Sequence, residues 1–360
     1  MGDTVNISPP IQKGKGPWRV TFDTNPDDCN LRCVMCEEFS EYSNLKQLRM
    51  VGDSKKRRRM DISLIESTME DLAKLGTIKE IIPSTMGEPL LFKNFERIIE
   101  LCKIYDFKLN LTTNGTFPRK SAREWAELIV PVGSDVKISW NGATKETAEK
   151  IMLGANFNTQ LQNIRDFLEV RDEIANYGGN YCSVTLQLTF LENNYREFPE
   201  LVKLAANLGI DRIKGHHLWA HFNEIENQSM RRNSDSIKRW NNIVHLMKEA
   251  VEKFPLVSGK RIKLDNIYLL DEISGTEQIN PTAVCPFLGK EVWVAHDGRF
   301  NPCCAPDAQR RQLGDFGNLH DQSVKQIWNG NKYQKLVNNY LEYDLCKSCN
   351  MRRPLEDVYS

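Results

Sequence analysis

The sequence predicts an α/β fold built on a parallel β-sheet, followed by a smaller C-terminal domain. Between residues 18 and 220, six strand-like segments alternate with amphipathic helical segments, and strands that alternate with helices pair in parallel through right-handed crossovers. The chain has 360 residues, of which 40% are hydrophobic and 27% charged. That length is enough for one large or two medium domains. After Pro255 the composition changes to short strands, glycines, prolines and five cysteines.

The strands are predicted from short stretches rich in apolar and β-branched residues. They cover residues 18–24, 78–82, 107–113, 135–140, 183–190 and 211–215. The helices between them are predicted at 61–76, 93–105, 119–129, 157–176 and 197–208. Asp61 is a favourable N-cap, and Gly76 and Gly209 end two of the helices. Six such units fall short of the eight that close a TIM barrel.

We divide the chain into three parts. Residues 1–17 form an N-terminal tail rich in Gly, Pro and Lys, residues 18–255 hold the six units and a flanking helix, and residues 256–360 form the second domain. The flanking helix is predicted from apolar residues at helical spacing. These residues are Ile237, Trp240, Val244, Met247 and Val251.

Composition argues against several classes of protein. Lys and Arg total 48, as do Asp and Glu, so the formal net charge is zero and nothing indicates a nucleic-acid partner or an anionic membrane surface. No apolar run reaches the length of a membrane span, and no signal peptide is evident, so we expect a cytoplasmic protein. Seven of the ten cysteines fall in three groups, which favours metal binding in a reducing compartment over a disulfide framework.

The most informative stretch is the cysteine loop, residues 29–36, in which Cys29, Cys33 and Cys36 have the spacing C-x3-C-x2-C. A structural zinc site normally has four Cys or His ligands, and no fourth lies nearby, since the next cysteine is Cys102 and the first histidine is His216. Three thiolates from one loop suit a four-iron cluster, with one iron open to another ligand. The alternative is a redox-sensing or metal-buffering loop.

The C-x3-C-x2-C spacing resembles the signature of the radical S-adenosylmethionine (radical SAM) superfamily. The resemblance covers roughly residues 18–220 and implies a partial (β/α)6 TIM-like barrel. It also implies that Cys29, Cys33 and Cys36 hold a [4Fe-4S] cluster whose open iron binds S-adenosylmethionine. In that family, reduction of the cluster releases a 5′-deoxyadenosyl radical, which abstracts a hydrogen atom from substrate. We also assign Met35, inside the loop, to cofactor binding.

Met86-Gly87-Glu88-Pro89 follows the second strand and is therefore expected at the carboxyl rim of the barrel. Alone it would indicate only a turn. At this distance from the cysteine loop it resembles the family's G-G-E-P motif, with Met86 in place of the first glycine. The resemblance assigns Gly87, Glu88 and Pro89 to cofactor binding, with the Glu88 carboxylate on the ammonium group of S-adenosylmethionine.

Three further cofactor contacts are expected from positions on later strands. Asn114 lies in a T-N-G turn that resembles the family's, Ser139 lies on the fourth strand, and Gln187 on the fifth. For Ser139 and Gln187 the alternative is an ordinary strand residue. The family often has an acidic residue at the position of Asn141 and a basic one near Met152, so the carboxylate of the cofactor has a different partner here.

The second cysteine set consists of Cys285, Cys303, Cys346 and Cys349. Four thiolates complete a closed site, either an iron–sulfur cluster or a structural zinc. The segment from Gly317 to Asn329, before the closing Cys-x2-Cys pair, resembles the SPASM domain of radical SAM enzymes. A full SPASM domain has more cysteines, and Leu355 stands where another ligand is expected. The resemblance therefore implies a shortened, twitch-type domain with one auxiliary [4Fe-4S] cluster.

Three residues are candidates for chemistry on the substrate. Cys304 adjoins a cluster ligand and is a bystander, an alternative ligand or a hydrogen-atom donor. His216 and His217 are expected just after the sixth strand, near the barrel mouth. Each either binds substrate, acts as a base, or packs as an ordinary polar side chain.

The expected reaction is abstraction of a hydrogen atom from a polar small molecule such as a sugar, aminocyclitol or sugar nucleotide, giving oxidation or epimerisation. The alternative is epimerisation or crosslinking of a ribosomally made precursor peptide. Many peptide-modifying relatives have an extra N-terminal domain, and only 28 residues precede Cys29, which favours the small molecule. The resemblance also implies a flavodoxin- or ferredoxin-type electron donor.

Overall fold

A computed structural model describes residues 11, 13–44, 57–272, 283–349 and 351–353. Within them, nine strands form one sheet in the order β11-β10-β1-β3-β4-β5-β7-β8-β9, and β2 pairs separately with β6. The strands, numbered in chain order from β1 to β11, are Arg19–Phe22, Arg32–Cys33, Glu80–Ile82, Lys108–Thr113, Gly133–Ser139, Met152–Leu153, Ser183–Phe190, Arg212–His217, Lys263–Asp265, Glu291–Val294 and Phe300–Asn301.

The helices connect the parallel strands and cover the outside of the sheet. Those of the described residues, numbered α1 to α11, are Ile62–Leu75, Phe95–Tyr105, Ala122–Ile129, Lys145–Ile151, Phe157–Asn176, Phe198–Leu208, Ser234–Lys253, Asp307–Arg310, Val324–Asn329, Asn331–Asn339 and Asp344–Lys347. The predicted fold class is confirmed, because the six predicted strands are all parallel and lie in the predicted order.

Local signals place the ends of the helices well. The Asp61 side chain accepts a hydrogen bond from the Ser63 N–H, which caps α1, and Gly76 ends that helix in the left-handed conformation. One boundary changes the placement of predicted site residues. Strand β8 runs through His217, so His216 and His217 lie within the strand instead of after it. In the C-terminal part, Gly330 separates α9 from α10.

The sheet extends beyond residue 255 at both ends. Strand β9 pairs in parallel with β8, while β10 pairs in parallel with β1 and antiparallel with β11. All three added strands come from the part of the chain that we assign to the second domain. The division at residue 255 remains a prediction, but the sheet itself is continuous across it.

The start of the described chain packs on the C-terminal part. Gly14 donates its N–H to the carbonyl of Gly289, and Trp328 donates its indole N–H to the carbonyl of Gly14. The Lys13 ammonium group also donates to the Trp328 carbonyl. The rest of the predicted tail, residues 1–10 and 12, lies outside the described residues. No helix within the described part of the chain is long and apolar enough to cross a membrane.

The two faces of the sheet have opposite character. The face under the helices is apolar and fully buried, and includes Val20, Phe22, Leu109, Leu111, Val136, Ile138, Val184, Leu186 and Leu188. The alternate residues of the same strands line the interior, and many of them are charged or polar: Arg19, Glu80, Asn110, Asp135, Lys137, Gln187, Arg212, Lys214, Asp265 and Glu291. A TIM barrel fills its interior with branched apolar side chains, so this interior is built to hold something polar.

Candidate functional site

The cysteine loop follows the carboxyl end of β1 and lies over the rim of the sheet. Cys29, Cys33, Val34 and Met35 pack against a small apolar cluster that includes Leu31 and Met152. Burial raises the pKa of Cys29 to about 11, and the nearby Cys36 adds to the increase. Burial, followed by Cys36 and Cys29, also raises the pKa of Cys33. The three thiols are therefore close together and need a cation to stabilise them as thiolates.

Two aspartates anchor the start of this loop. Asp27 pairs with Arg58 at 2.7 Å, and Asp28 pairs with Arg57 at 2.7 Å and Arg59 at 2.6 Å. These arginines belong to the basic run of residues 55–59, whose first two residues lie outside the described part of the chain. The run therefore fixes the cysteine loop through charge-assisted hydrogen bonds.

Gly87 brings the second-strand motif into direct contact with the cysteine loop. It has φ of +78°, and a Cβ at this position would collide with the carbonyl oxygen of Asn25 and lie 2.7 Å from that of Asp28. The next residue, Glu88, donates its N–H to the Asp28 carbonyl at 2.7 Å, and Asn25 donates its side-chain N–H to the Glu88 carbonyl. Only glycine permits this approach.

The Glu88 side chain has protein partners that the sequence does not reveal. It is 1% exposed, and its carboxylate accepts hydrogen bonds from Thr113 Oγ1 at 2.8 Å, the Asn114 N–H at 2.7 Å and the Leu90 N–H at 3.1 Å. Burial raises the pKa of the Glu88 carboxyl to about 7, against the opposing effect of these donors. The carboxylate thus fixes the T-N-G turn, and its contact with the cofactor remains a prediction.

That turn reaches back to the cysteine loop. The Asn114 amide donates to Asn30 Oδ1 at 2.8 Å and lies 3.8 Å from the Cys29 sulfur. The Gln160 side-chain amide donates a hydrogen bond to the Asn114 carbonyl at 2.6 Å. Glu88, Asn114 and the loop therefore form one connected hydrogen-bond network.

We expect Glu88→Gln to weaken binding of S-adenosylmethionine by about tenfold or more, because a hydrogen bond to a charged group is worth about 1.5–3 kcal/mol. The glutamine amide would place an N–H group against one of the three donors. Affinity for the cofactor, measured on protein with a normal iron content, tests this.

The Glu88→Gln/Asn114→Ala double variant identifies the route of the effect. If Glu88 acts through the turn, the two losses are strongly non-additive, because they disrupt one network. Fully additive losses would mean that Glu88 contacts the cofactor independently of Asn114. Unchanged affinity in Glu88→Gln would remove the residue from the site.

A cavity of about 2020 Å³ occupies the interior of the sheet. It brings together most of the predicted site residues, and its lining includes Cys33, Met35, Cys36, Ser139, Gln187, His216, His217 and the second cysteine set. Cys29, Gly87, Glu88, Pro89 and Asn114 are not part of that lining. Cys29 belongs to the cysteine loop itself. The other four belong to the two segments that hydrogen-bond to the loop and to the residue just before it.

The second cysteine set lies at the opposite end of the cavity from the cysteine loop. Cys285 precedes β10, which runs parallel to β1. Cys303 and Cys304 follow β11, which runs antiparallel to β10. All three cysteines therefore lie towards the amino ends of the parallel strands. Burial raises the pKa of Cys285 to about 12, and Cys303 and Cys349 add to the increase. Burial and the same neighbours also raise the pKa of Cys346.

Both sets consist of cysteines alone, the donors that hold iron–sulfur clusters. Within the described ranges, no three His, Cys, Asp or Glu side chains approach closely enough to hold one metal ion. Each thiolate of a cluster binds its own iron atom, so the sulfur atoms are spread more widely than around a single zinc. Cys29, Cys33 and Cys36 would hold one cluster, and Cys285, Cys303, Cys346 and Cys349 the other.

The candidate substrate residues have different environments. The accessible surface of Cys304 faces the cavity, which the protein encloses around it. Burial raises the pKa of Cys304 well above its usual value, and the neighbouring cysteines and Glu291 add to the increase. Its thiol is therefore protonated and borders the space for a substrate.

The two histidines are both neutral at physiological pH. Burial and then Lys214 lower the pKa of His216 to about 4, and its ring nitrogens lie 3.4 Å from Gln187 Nε2 and 3.3 Å from Thr189 Oγ1. Burial lowers the pKa of His217 further, and its ring packs 4.7 Å from that of Trp240. His216 is thus a weak base suited to hydrogen bonding, and His217 is largely a packing residue.

Sequence reasoning missed the charged residues on the inner face of the strands. Lys137 on β5 and Lys214 on β8 line the cavity, and Arg19 on β1 pairs with Glu80 and Glu291 at its amino end. A signal was present, since strands buried on both faces of a parallel sheet are usually continuously apolar. Lysine at the centre of a predicted inner strand therefore pointed to a polar interior.

Family models match both parts of the chain. The model of the radical SAM superfamily matches residues 26–205. An iron–sulfur cluster-binding domain, SPASM, matches residues 285–350. The first range starts just before the cysteine loop, and the second spans Cys285 to Cys349.

Individual proteins resemble the chain over most of its length. It is 25% identical over 342 residues to a tungsten-containing aldehyde ferredoxin oxidoreductase cofactor-modifying protein of Pyrococcus furiosus, covering 90% of this chain and 85% of that protein. It is 24% identical over 331 residues to the PqqA peptide cyclase of Methylobacterium nodulans, covering 90% and 76%. Among solved structures, SuiB of Streptococcus suis bound to its precursor peptide SuiA superposes with a TM-score of 0.63 at 14% identity, covering 94% and 71%.

The superfamily match spans half of the chain and includes the cysteine loop and the Gly87-Glu88-Pro89 motif. With the SPASM match, it identifies the cofactors as S-adenosylmethionine, a [4Fe-4S] cluster that binds it, and auxiliary iron–sulfur ligation in the C-terminal part. The chain is an enzyme that belongs to the radical SAM superfamily and has a C-terminal SPASM domain.

Proposed function

We propose that this enzyme abstracts a hydrogen atom from a residue of a peptide substrate, as the first step of epimerisation or crosslinking. The observation that carries the proposal is the cavity of about 2020 Å³ that both cysteine sets line. Pockets for small ligands are typically about 300–1,000 Å³, so this one has room for the cofactor and a segment of polypeptide. Two similar proteins support a peptide, a cyclase of the peptide PqqA and a protein solved with a precursor peptide.

The cofactor supplies the group that abstracts the hydrogen atom, and the chain positions both reactants. The cysteine loop, Gly87 and the Glu88–Asn114 network hold the cofactor at the carboxyl rim. Ser139 and Gln187 border the cavity below that rim, and the Gln187 Oε1 atom has no hydrogen-bond partner among the described residues. That buried acceptor is free to bind an N–H group of a ligand. The second cysteine set faces the substrate space from the other end.

Co-expression tests the proposal. The chain would be expressed with each short open reading frame that flanks its gene, and every peptide product weighed by mass spectrometry. Crosslinking removes two hydrogen atoms, and epimerisation in heavy water adds solvent deuterium at the inverted carbon. The matched control is the Cys36→Ala variant, in which the peptide should stay unchanged. A wild-type enzyme that alters no peptide but turns over a small molecule would overturn the proposal.

A polar small molecule remains the second candidate, on the strength of the charged interior. Arg19, Lys137, Lys214, Asp265 and Glu291 all border the cavity, and such side chains suit hydroxyl, amino and phosphate groups. The similarity to a cofactor-modifying protein also fits a substrate other than a peptide. Incubation of the reduced enzyme with sugars, aminocyclitols and sugar nucleotides, scored by cofactor consumption above background, tests this candidate.

We expect Cys304→Ala to separate two classes of reaction once a substrate is known. If the thiol returns a hydrogen atom, the variant should still cleave S-adenosylmethionine and abstract the substrate hydrogen but form no epimer. If the reaction is oxidation or crosslinking, the variant should keep full activity. Product formed in heavy water distinguishes the two classes of reaction. Wild-type product without deuterium at the inverted carbon excludes the return of a hydrogen atom from an exchangeable thiol.

A further inference from the structure

Lys137 is an interior cation that forms no ion pair with any described residue. It lies on β5 and borders both the main cavity and a smaller one of about 290 Å³ at the amino ends of the strands. Its ammonium group donates a hydrogen bond to the Asn110 side chain. Arg19 pairs with Glu80 at 2.6 Å and Lys214 pairs with Asp265 at 3.4 Å. No carboxylate among the described residues comes within ion-pair distance of Lys137.

A buried charge without a close partner is costly. A buried charge is normally paired, because removing it from water is unfavourable. Burial lowers the pKa of Lys137 to about 8; Asp135 and Glu80 favour its charged form without pairing with it, while Lys214 and Arg19 disfavour that form. The interior therefore gains stability when an anion binds beside this side chain, and an ammonium group has three donors, of which Asn110 uses one.

A hydroxyl group completes the site. Thr112 on β4 is the direct register partner of Lys137, so both side chains lie on the same inner face. Thr112 also borders the main cavity, and its hydroxyl makes no hydrogen bond within the described part of the structure. One ammonium and one hydroxyl suit the two oxygens of a singly charged carboxylate.

The site is separate from the predicted cofactor contacts. Ser139, the residue on β5 assigned to the cofactor, lies two positions nearer the carboxyl rim. With a rise of about 3.3 Å per residue, Lys137 is roughly 7 Å deeper in the barrel. We propose that Lys137 and Thr112 bind a carboxylate of the substrate at this depth and so orient the residue to be modified. This inference deepens the proposed function and rests on it.

In a peptide, the carboxylate is either an acidic side chain or the C-terminus, and two probes distinguish these sources. N-acetylglutamate α-amide has only a side-chain carboxylate, and N-acetylalanine has only a terminal one. N-acetylglutamine α-amide is the neutral match for the first. Holoenzyme with both clusters would receive a pulse of acetic anhydride with each probe, and acetylation of each lysine would be measured by peptide mass mapping.

At least one acidic probe should slow acetylation of Lys137 severalfold, while the glutamine probe does not. Lys263, which lines the same cavity from the edge strand β9 and is exposed, should react at an unchanged rate. The acidic probe that protects Lys137 identifies the type of carboxylate: a side chain for N-acetylglutamate α-amide and a C-terminus for N-acetylalanine. Equal protection by the neutral probe, or none by either acid, would overturn the assignment.

Two variants provide an independent measurement by calorimetry. Lys137→Met should bind the effective probe about tenfold or more weakly, because a charge-assisted hydrogen bond is lost. Lys263→Met removes the same charge from the same cavity and should bind the probe as wild type does. S-adenosylmethionine should bind both variants normally, and a selective loss in Lys137→Met would place this lysine in the cofactor site instead.

These experiments measure probe binding without turnover, so they separate the two proposals. Probe binding that depends on Lys137, together with failure to modify any peptide, would retain the carboxylate site and reject the peptide substrate. Peptide modification without any probe effect at Lys137 would do the reverse.

Discussion

Replacing Cys29, Cys33 and Cys36 together with alanine is expected to abolish cleavage of S-adenosylmethionine and to remove about half of the bound iron. Anaerobically reconstituted protein should hold about eight iron atoms, four in each cluster, and the triple variant about four. On our assignment, these thiols hold the cluster to which the cofactor binds, while the second set lies at the other end of the cavity and keeps its own cluster. Iron analysis and cofactor turnover with a strong reductant check both effects.

The matched control removes the other cluster. Cys346→Ala/Cys349→Ala should also lose about half of the iron, but it should keep reductive cleavage of the cofactor, because its cysteine loop is intact. Zinc in place of iron at the second set, with only about four irons in the wild type, would contradict the assignment of two clusters. Loss of all iron in either variant would mean that the clusters depend on one another for folding.

Gly87→Ala is expected to cause a large loss of cofactor affinity with both stability and cluster content reduced. The added Cβ would strike the Asn25 carbonyl and lie 2.7 Å from the Asp28 carbonyl, both of which belong to the segment leading into the cysteine loop. A left-handed non-glycine residue costs about 1–2 kcal/mol before any clash. Displacing the backbone adds a cost of about 1–3 kcal/mol. Denaturant unfolding and cofactor titration measure the two effects.

Gly76→Ala separates backbone strain from the clash. Gly76 also has positive φ, but a Cβ there meets no atom within 4 Å. Its variant should lose only this strain, about 1–2 kcal/mol of unfolding free energy, and keep normal cofactor affinity. The two variants could lose the same unfolding free energy and both keep normal affinity for S-adenosylmethionine. That result would mean that close packing at Gly87 is not needed for cofactor binding.

Much of the fold and half of the site follow from local patterns in the sequence. The Cys29, Cys33 and Cys36 spacing is read directly, because three ligands within one loop are close whatever the rest of the chain does. Helix ends such as Asp61 and Gly76 are equally local, since a cap acts on its own helix. The alternation of strands and helices then limits the topology to a parallel sheet.

Contacts between distant segments required the tertiary structure. Nothing local indicates that β10 lies beside β1, where Arg19 meets Glu291, so the predicted sheet ends with the sixth strand at residues 211–215. The motif predicts that Glu88 contacts the cofactor, and only the tertiary structure shows that its carboxylate accepts hydrogen bonds from Thr113, at the end of the next strand, and from Asn114. In each case the deciding partner is far away in sequence.

The sequence by itself determined the family and the cofactors and predicted the cysteines that hold them, because those depend on residue type and short spacing. Only the tertiary structure decided which strand side chains line the interior. The direction of a strand side chain depends on register and on which face the helices cover. That alternation turns Val136 and Ile138 under the helices and Lys137 into the cavity, where no carboxylate of the described residues forms an ion pair with it.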